Sequence, residues 1–346
     1  MNYLFIVQGE GRGHLSQAIA LKEEIESKGN SVKKVWLGTS PQRPVAKYAK
    51  EVFGEKLVFF RSPNFLKTRD KKGVNLALSL LYNLILAPVF IRSIIILSRE
   101  IRKDDYNVVM NFYDMIGGLA AYFSRTKKKM ISISHHFFLT SSYFEFPSGY
   151  LFNKYFLRLH NSICAIKATE IRALSFIPAI EKEESIVKIT PPILRKEILK
   201  LKIEDEGFIL VYLLNYGLIR EIVRLAIKFS DQKFKIYTDG ISKKDVRVEN
   251  IEIYELHAGN FLKELAKCHG LITTAGFESQ CEAAFLGKRV FTLPSKNHFE
   301  QVCNAIDGGR AGISKPISEF ENYSIDESAH YESFREWCLS RLHADR

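Results

Sequence analysis

Residues 272–305 read ITTAGFESQCEAAFLGKRVFTLPSKNHFEQVCNA, and this stretch decides the fold. An apolar strand ends at Thr273, a turn of small residues follows, and a helix begins at about Phe277. Gly287 ends that helix in the usual C-terminal glycine position, and a second apolar strand covers residues 289–293. A strand, a helix and a strand in this order predict a crossover unit of a parallel α/β sheet.

The polar residues of this stretch are spaced to hold a phosphorylated sugar. The helix start after Gly276 offers backbone N–H groups and the positive end of the helix dipole to a diphosphate. Glu282 lies about one turn further along, where a carboxylate can accept both hydroxyls of a ribose. The amides of Gln301 and Asn304 can donate to and accept from sugar hydroxyls at once. Taken singly, Glu282 is equally a solvated helix residue, and the two amides equally cap a helix.

The region before this stretch has the same alternating pattern. A strand at 208–214 is followed by a loop that contains Asn215 and Gly217, and Arg220 stands at the start of the next helix. The further elements predicted in this half are strands at 233–237, 251–254 and 271–273 and helices at 260–268, 278–285 and 330–342.

The first 37 residues predict another unit of the same kind. A strand at 3–7 leads into the glycine-rich loop 8–14, then into a helix at 15–27 and a strand at 31–37. The loop is not a dinucleotide fingerprint, because His14 replaces the third glycine and no acidic residue ends the second strand to hold a ribose. A nicotinamide-dependent dehydrogenase is therefore disfavoured. The candidate phosphate contacts in this loop are Gly11, Arg12 and Gly13.

Polar groups also follow two later strands of the first half. Asp114 comes just after the strand predicted at 107–111, and the pair His135–His136 closes the strand at 129–134. Ligands of open α/β sheets bind at the carboxyl ends of strands, so these groups are candidates for the acceptor side. The adjacent histidines make a poor metal site, since neighbours in a strand point to opposite faces. The remaining strands predicted in this half are 56–60 and 162–166.

Residues 272–305 resemble the donor-binding signature of GT-B glycosyltransferases of the MurG and diacylglycerol glucosyltransferase type, a family 28-like signature. It consists of a glycine turn, a helical glutamate, an "alGkp…iP" segment and a closing Q-x-x-N-A. The resemblance implies that Glu282 binds the ribose and that Gln301 and Asn304 bind the donor sugar. Glu278 departs from the family, which more often has a neutral residue there. The residues that the resemblance places at the diphosphate are Gly276, Phe277 and Ser279.

The first half resembles the same family in two places. The loop ending in His14 is similar to its G-x-G-G-H loop; the helix dipole keeps such an imidazole neutral, as a general base on the acceptor hydroxyl requires. The alternative is a histidine that only caps the turn. Asp114, followed by Ala120–Ala121, resembles a D-x-x-x-x-x-x-A-A segment and would hold or deprotonate the acceptor. Since the sequence has no D-x-D pair for a metal, Arg12 and Arg220 would stabilise the leaving diphosphate.

The predicted fold class is α/β, a GT-B arrangement of two Rossmann-like, doubly wound domains that face a central cleft. We expect an acceptor-binding domain at 1–190 and a nucleotide-sugar-binding domain at 191–328, connected around Pro191–Pro192 and the charged run 195–206. A C-terminal helix within 329–346 is expected to pack back toward the N-terminal domain.

Composition narrows the choice of partners. The 346 residues carry a formal net charge of +11 and a pI of about 9.2, which favours an anionic partner. The chain has neither an arginine-rich arm nor zinc-finger spacing, so nucleic acid is not expected. Five scattered cysteines without a CxxC pair favour reduced thiols and a cytoplasmic location.

Residues 74–97 read VNLALSLLYNLILAPVFIRSIIIL and approach transmembrane length. Asn83, Pro88 and Arg92 interrupt the run, which therefore predicts a pair of buried helices broken near Pro88 rather than a span. The alternative is an apolar flap that faces a membrane. Together with the basic charge, the run indicates a peripheral contact with the anionic inner face of a membrane.

These features predict an inverting, metal-independent glycosyltransferase. It would move a hexose or N-acetylhexosamine from a nucleoside diphosphate, UDP by family analogy, to a hydroxyl of a lipid or cell-envelope glycan precursor. No cofactor beyond this donor substrate is expected. Two alternatives stay open: a sugar-nucleotide 2-epimerase of the same fold, and a non-catalytic protein that binds sugar nucleotides or glycans.

Overall fold

The structure is a computed structural model that describes residues 1–9, 12–41, 47–66, 68–69, 74–179, 184–214, 216–238, 248–255, 258–322 and 331–343. The chain forms two compact units. The first comprises Met1–Leu66 and Leu76–Arg195, and the second comprises Lys67–Asn75 and Lys196–Arg346.

The first unit is built on a seven-stranded sheet in which every pairing is parallel, in the order β3-β2-β1-β4-β5-β6-β7. Its central strands are continuous apolar runs because helices cover both faces of such a sheet. The strands are β1 (Asn2–Val7), β2 (Ser31–Thr39), β3 (Leu57–Arg61), β4 (Val108–Phe112), β5 (Lys129–Ser134), β6 (Glu170–Leu174) and β7 (Val187–Thr190).

Among the described residues, six helices connect these strands: α1 (Gly13–Ser27), α2 (Lys47–Phe53), α3 (Leu76–Ile85), α4 (Ala87–Arg102), α5 (Met115–Ser124) and α6 (Leu151–Cys164). Parallel crossovers are right-handed, so connections that run in the same direction across a sheet place their helices on the same face. Helices α4, α5 and α6 all belong to connections that run toward β7, and they therefore line one face. Leu97 of α4 and Ile116 of α5 share one buried cluster with Ile6 of β1.

The second unit repeats the strand order of the first. Its six parallel strands lie in the order β10-β9-β8-β11-β12-β13. The strands are β8 (Phe208–Leu213), β9 (Lys233–Thr238), β10 (Ile251–Tyr254), β11 (Gly270–Thr273), β12 (Arg289–Thr292) and β13 (Lys315–Pro316). The helices are α7 (Ile219–Lys228), α8 (Ala258–Lys267), α9 (Phe277–Phe285), α10 (Phe299–Arg310) and α11 (Glu332–His343).

In each sheet the chain reverses its direction of travel at one place, between β1 and β4 in the first and between β8 and β11 in the second. The loops after the two strands at such a reversal diverge to opposite faces and leave a crevice between them, where ligands of open α/β sheets bind. The loops that follow β1, β4, β8 and β11 are therefore the positions at which functional residues are expected.

The strand predicted at 162–166 is wrong. Helix α6 continues to Cys164, and Leu157, Asn161 and Cys164 are its buried side chains at helical spacing. The apolar run was read as a strand because a short run of this kind fits both periods. The next strands of the sheet are β6 and β7, neither of which was predicted.

Residues 74–97 form two helices that break at Leu86, close to Pro88 as predicted. Helix α4 buries one side, including Leu97, but the expectation that α3 is buried is wrong. Leu80 is 71% exposed and Leu84 is 69% exposed. In the part of the chain that the structure describes, no single helix is long and apolar enough to cross a membrane; α3 and α4 meet the length and hydropathy criteria only together, bent by 62°.

The C-terminal helix α11 belongs to the second unit. The Arg335 guanidinium lies 5.4 Å from the centre of the Phe285 ring at the end of α9. The Tyr331 hydroxyl, just before α11, donates to the carbonyl of Ile313 (3.2 Å). These contacts hold α11 against the helix on which the donor signature lies.

Candidate functional site

In the second unit, a turn and a helix start follow β11 at the reversal of the sheet. The turn contains Thr274, Ala275 and Gly276, and α9 begins at Phe277. Gly276 is the N-cap, so the cap position carries no side chain. A helix start of this kind binds an anion with its first backbone N–H groups and its dipole. Ala275 has a φ of +60°, in the left-handed region that residues other than glycine rarely adopt.

Ser279 fixes the shape of this turn. Its hydroxyl donates to the carbonyl of Gly276 (3.0 Å) and lies 3.0 Å from the hydroxyl of Thr273. A Cβ at position 276 would lie 3.3 Å from Ser279 Oγ, tighter than an ordinary contact. The Ser279 side chain therefore holds the turn in place, and the diphosphate contact predicted for this residue stays a prediction.

Two amides tie α10 to neighbouring loops. Gln301 Oε1 accepts a hydrogen bond from the backbone N–H of Ser295 (2.7 Å), and Asn304 Nδ2 donates to the carbonyl of Ala275 (3.1 Å). One end of each amide is thus hydrogen-bonded within the protein, a contact that the sequence did not predict. Sugar binding by the other ends, Gln301 Nε2 and Asn304 Oδ1, stays a prediction. Glu282 is 4% exposed on α9, so it is not a solvated helix residue.

Two buried oxygen atoms beside the turn lack a partner within the described residues. They are Thr274 Oγ1 and Asn304 Oδ1, which lie on residues that flank or contact Ala275. Buried polar atoms are almost always hydrogen-bonded, so these two mark a place that a polar ligand or water completes. Sequence reasoning missed Thr274, because a threonine in a turn carries no distinctive spacing.

The loop after β8 lies next to this turn, since β8 and β11 are hydrogen-bonded neighbours. Gly217 falls in a 3-10 turn (Tyr216–Leu218), and Arg220 is exposed in the first turn of α7. Both residues follow β8 and therefore lie at the carboxyl edge of the sheet, as the sequence predicted. Asn215 lies outside the described residues.

In the first unit, the loop after β1 leads into α1. A Cβ at Gly9 would lie 1.7 Å from the carbonyl oxygen of Gly38, so only glycine fits there. Arg12 is the N-cap of α1 and Gly13 is its first residue. Gly11 lies outside the described residues.

His14 is nearly buried in the first turn of α1. Its Nδ1 lies 3.4 Å from Gln17 Oε1, so the ring donates to this amide oxygen when its hydrogen is on Nδ1. The imidazole lies 5.6 Å from the Tyr113 ring and 5.8 Å from the His136 ring, measured between centres. His14 therefore belongs to an aromatic cluster at the reversal of the first sheet.

Tyr113 is the centre of that cluster. Its ring stacks on His136 at 4.0 Å and lies 4.8 Å from His160. Its hydroxyl bonds to Asn161 Oδ1 (2.5 Å), and its φ of +61° is unusual for a bulky residue. The sequence drew attention to Asp114 instead of its neighbour, because no sequence signal predicts a left-handed tyrosine.

The two adjacent histidines have different partners. His136 Nδ1 lies 2.7 Å from Ser134 Oγ inside the cluster, whereas His135 Nδ1 lies 2.8 Å from the carbonyl of Leu174. Both stand in a 3-10 turn (His135–Thr140) just after β5 rather than in the strand. Of these two histidines, His136 is the one that lies beside His14 and Tyr113.

Asp114 is completely buried as the N-cap of α5. Its carboxylate accepts from the backbone N–H of Gly117 (3.0 Å) and from the Ser62 hydroxyl (2.7 Å). Burial raises the pKa of Asp114 to about 6, although these hydrogen bonds lower it. Such bonds are those of a residue that holds the β4–α5 turn in place, and contact with an acceptor stays a prediction.

Comparisons with known proteins agree with this architecture. Residues 1–326 match the family described as "Glycosyl transferase family 1". A comparison with curated protein sequences finds no match.

Solved structures show the same fold at low sequence identity. LpCGTa in complex with UDP is 16% identical (TM-score 0.58), with 99% of this chain and 90% of that chain covered. MurG of Acinetobacter baumannii is 14% identical (TM-score 0.54; 99% and 91%). A putative UDP-N-acetylglucosamine 2-epimerase from Listeria monocytogenes is 14% identical (TM-score 0.58; 100% and 88%). The two parallel sheets therefore form the GT-B fold.

Proposed function

Because the chain belongs to glycosyl transferase family 1, we propose that it transfers a hexose or N-acetylhexosamine from a nucleoside diphosphate sugar to a hydroxyl, with inversion. The observation that carries this proposal is the glycine-capped start of α9 at the sheet reversal, with buried Glu282 one turn further along. The MurG-like motif favours UDP as the nucleotide, and one solved structure of the same fold was determined with UDP.

On the donor side, the backbone at Gly276, Phe277 and Ser279 binds the diphosphate, and the Glu282 carboxylate accepts the ribose hydroxyls. Gln301 Nε2 and Asn304 Oδ1 bind the sugar. Gly217 lies at the carboxyl edge of the second sheet. Arg220 and Arg12 stabilise the negative charge of the leaving diphosphate. Helix dipole and guanidinium groups supply this stabilisation without a metal, in keeping with a sequence that has no D-x-D pair.

On the acceptor side, His14 Nε2 removes the hydroxyl proton while the acceptor oxygen attacks the anomeric carbon. The bond from that carbon to the diphosphate oxygen breaks on the opposite face, which inverts the configuration. Asp114 holds the turn that carries Tyr113. We take the acceptor to be a lipid or cell-envelope glycan precursor.

Calorimetry with a panel of sugar nucleotides tests the donor site. Glu282→Gln should weaken donor binding by about 1–3 kcal/mol, the scale of a lost charge-assisted hydrogen bond in a buried site. Glu336→Gln, which changes an exposed glutamate on α11, is the matched control. Equal donor affinity in the two variants would show that Glu282 does not bind the donor.

A second measurement separates transfer from its alternatives. His14→Ala should lower kcat for transfer by roughly 10²–10⁴-fold, the usual contribution of a general base, and leave donor affinity unchanged. An epimerase would convert the donor sugar without any acceptor. A binding protein would show donor affinity and no turnover with any acceptor.

A further inference from the structure

Helix α3 is amphipathic in the opposite sense to a normal surface helix. Its polar side faces the protein: Ser79 Oγ accepts from the backbone N–H of Leu66 (2.8 Å), and Asn83 Nδ2 donates to the carbonyl of Asn64 (2.9 Å). In water, a surface helix buries its apolar stripe and exposes its polar one. Here the apolar side chains are the exposed ones: Leu78, Leu80, Leu81, Leu84 and Ile85.

Helix α6 shows the same reversal. An apolar stripe at positions i, i+3, i+4 and i+7, the spacing of a core-facing stripe, is exposed, and Phe152 alone is 79% exposed. The buried side of α6 contains Asn161, which donates to the carbonyl of His136 (2.8 Å). The exposed stripe consists of Phe152, Tyr155, Phe156 and Leu159.

Helices α4 and α5 extend this surface on the same face of the sheet. Helix α4 contacts α5, and α5 contacts α6. Of the 27 large hydrophobic side chains that are exposed among the described residues, 16 lie on α3, α4, α5 and α6. We call these side chains the outer helical face. The members not yet named are Val89, Ile91, Ile95 and Ile96 of α4, Tyr122 and Phe123 of α5, and Leu151 at the start of α6.

The charge around the outer helical face is positive. The first unit has 25 lysines and arginines against 15 aspartates and glutamates, so it holds +10 of the net charge of +11. Arg92, Arg99 and Arg158 are exposed between the apolar side chains of α4 and α6. Glu100 is the single acidic residue in the sequences of α3, α4 and α6, and it is buried in an ion pair with Lys103 (2.9 Å).

We propose that the outer helical face docks on the surface of an anionic phospholipid bilayer. Leucine, isoleucine and phenylalanine side chains enter the headgroup boundary, tyrosines lie at its level, and the arginines bind lipid phosphates. The helices lie on the bilayer because the inner side chains of α4, Leu97 and Ile101, are fixed in the core of the first unit. A second copy of the chain is a poorer occupant, since symmetric contact would oppose two strongly basic faces.

Docking of this kind brings the candidate acceptor site close to the lipid. Helix α6 presents its stripe on one side and bonds to Tyr113 through Asn161 on the other. The thickness of one helix, about 10 Å, therefore separates the bilayer from the cluster around His14. The docking itself does not rest on the nucleotide-sugar chemistry.

Co-sedimentation with vesicles tests the proposal on the full chain. Vesicles of phosphatidylcholine with phosphatidylglycerol should bind the protein, and vesicles of phosphatidylcholine alone should bind it more weakly. The double variant Leu84→Asp/Phe156→Asp should reduce binding by about tenfold or more, because each side chain contributes buried apolar area at the interface. Arg92→Gln/Arg158→Gln should reduce the preference for the anionic vesicles and leave the weaker binding to neutral ones.

Ile227→Asp is the matched control, since Ile227 is 63% exposed on α7 of the second unit. It should bind vesicles like the wild type, and all variants should keep the wild-type Tm because the replaced side chains face solvent. No binding to either vesicle overturns the proposal, as does equal binding of the Leu84/Phe156 variant and the control. A lipid-free dimer that Leu84→Asp/Phe156→Asp dissociates, without vesicle binding, assigns the face to a second copy. Donor calorimetry stays unaffected by any of these results.

Discussion

At the scale of single residues, the two units share one unusual backbone feature. Tyr113 precedes the N-cap of α5 with a φ of +61°, and Ala275 precedes the N-cap of α9 with a φ of +60°. Residues other than glycine in this region cost about 1–3 kcal/mol and concentrate at functional sites. Each of them follows the strand that flanks the sheet reversal. Strain at both places supports the assignment of both loops to the site.

Adjacent glycines in α10 provide a matched stability test. A Cβ at Gly308 would lie 2.5 Å from Gln280 Oε1 and 2.6 Å from Ser314 Oγ, both in buried side chains, whereas a Cβ at Gly309 meets only a carbonyl oxygen at 3.6 Å. We expect Gly308→Ala to lower the free energy of unfolding by about 1–3 kcal/mol through overpacking. Gly309→Ala should raise it by about 0.5–1 kcal/mol, because alanine favours a helix. Denaturant titration of both variants checks the prediction, and equal effects would contradict it.

Two buried carboxyls should make stability fall as pH rises. Burial raises the pKa of Asp307 to about 7 and that of Asp114 to about 6, from 3.8 in the unfolded chain. The folded state therefore binds these protons more tightly, and the stabilisation present below about pH 4 is lost as pH rises through 6 and 7.

We expect the free energy of unfolding to fall by up to about 1.4 kcal/mol per pH unit for each group within this window. Carboxyls with a lowered pKa, such as Glu170, affect the free energy of unfolding below this pH window. Asp307→Asn should flatten the profile measured by denaturant titration between about pH 4 and 7. Asp231→Asn, at an exposed turn, should leave it unchanged. A wild-type profile that rises with pH across the window would refute the assignment.

At the scale of elements, replacing a polar residue of α3 should destabilise the protein more than replacing one of its leucines, which reverses the usual order. Asn83→Ala removes two hydrogen bonds to the Asn64 backbone (2.9 and 3.2 Å) and should lower the free energy of unfolding by about 1–3 kcal/mol. Leu80→Ala removes an exposed side chain and should change it by less than about 0.5 kcal/mol. Local hydrogen exchange of α3 amides measures both. A larger effect of Leu80→Ala would show that the leucine face is covered.

The sequence predicted most elements, and the donor-side and acceptor-side residues that it named stay predictions. Strands β5 and β10 have the predicted bounds, and the turn before α9 lies where its glycine and apolar flanks indicated. The strand predicted at 162–166 is wrong because a short apolar run fits a buried helix side as well as a strand. Exposure of α3 could not be read from its leucines, since composition is the same for a buried helix and a lipid-facing one. The stack of Tyr113 on His136 depends on tertiary contacts between β4 and the turn after β5.

At the scale of the whole molecule, each unit has its own core, so a ligand that binds one unit should slow amide exchange mainly in that unit. Saturating sugar nucleotide should slow amide exchange in the turn at 274–276 and in α9 and α10, because binding stabilises the unit that holds the donor site. Exchange in β4 and α5 should change much less. Exchange mass spectrometry with and without UDP-sugar measures this. Protection of β4 and α5 as strong as that of α9 would contradict a donor site held mainly by the second unit.

The repeated strand order has a consequence for how this chain can diversify. Both units present the same frame, a left-handed residue and an N-cap at one reversal, yet the first places a bonded carboxylate at the cap and the second a bare glycine. The cap residue can therefore differ between the two units while the backbone arrangement around it stays the same. In the proposed function, substitutions in the turn before α9 would change the choice of donor and leave the turn before α5 unaltered.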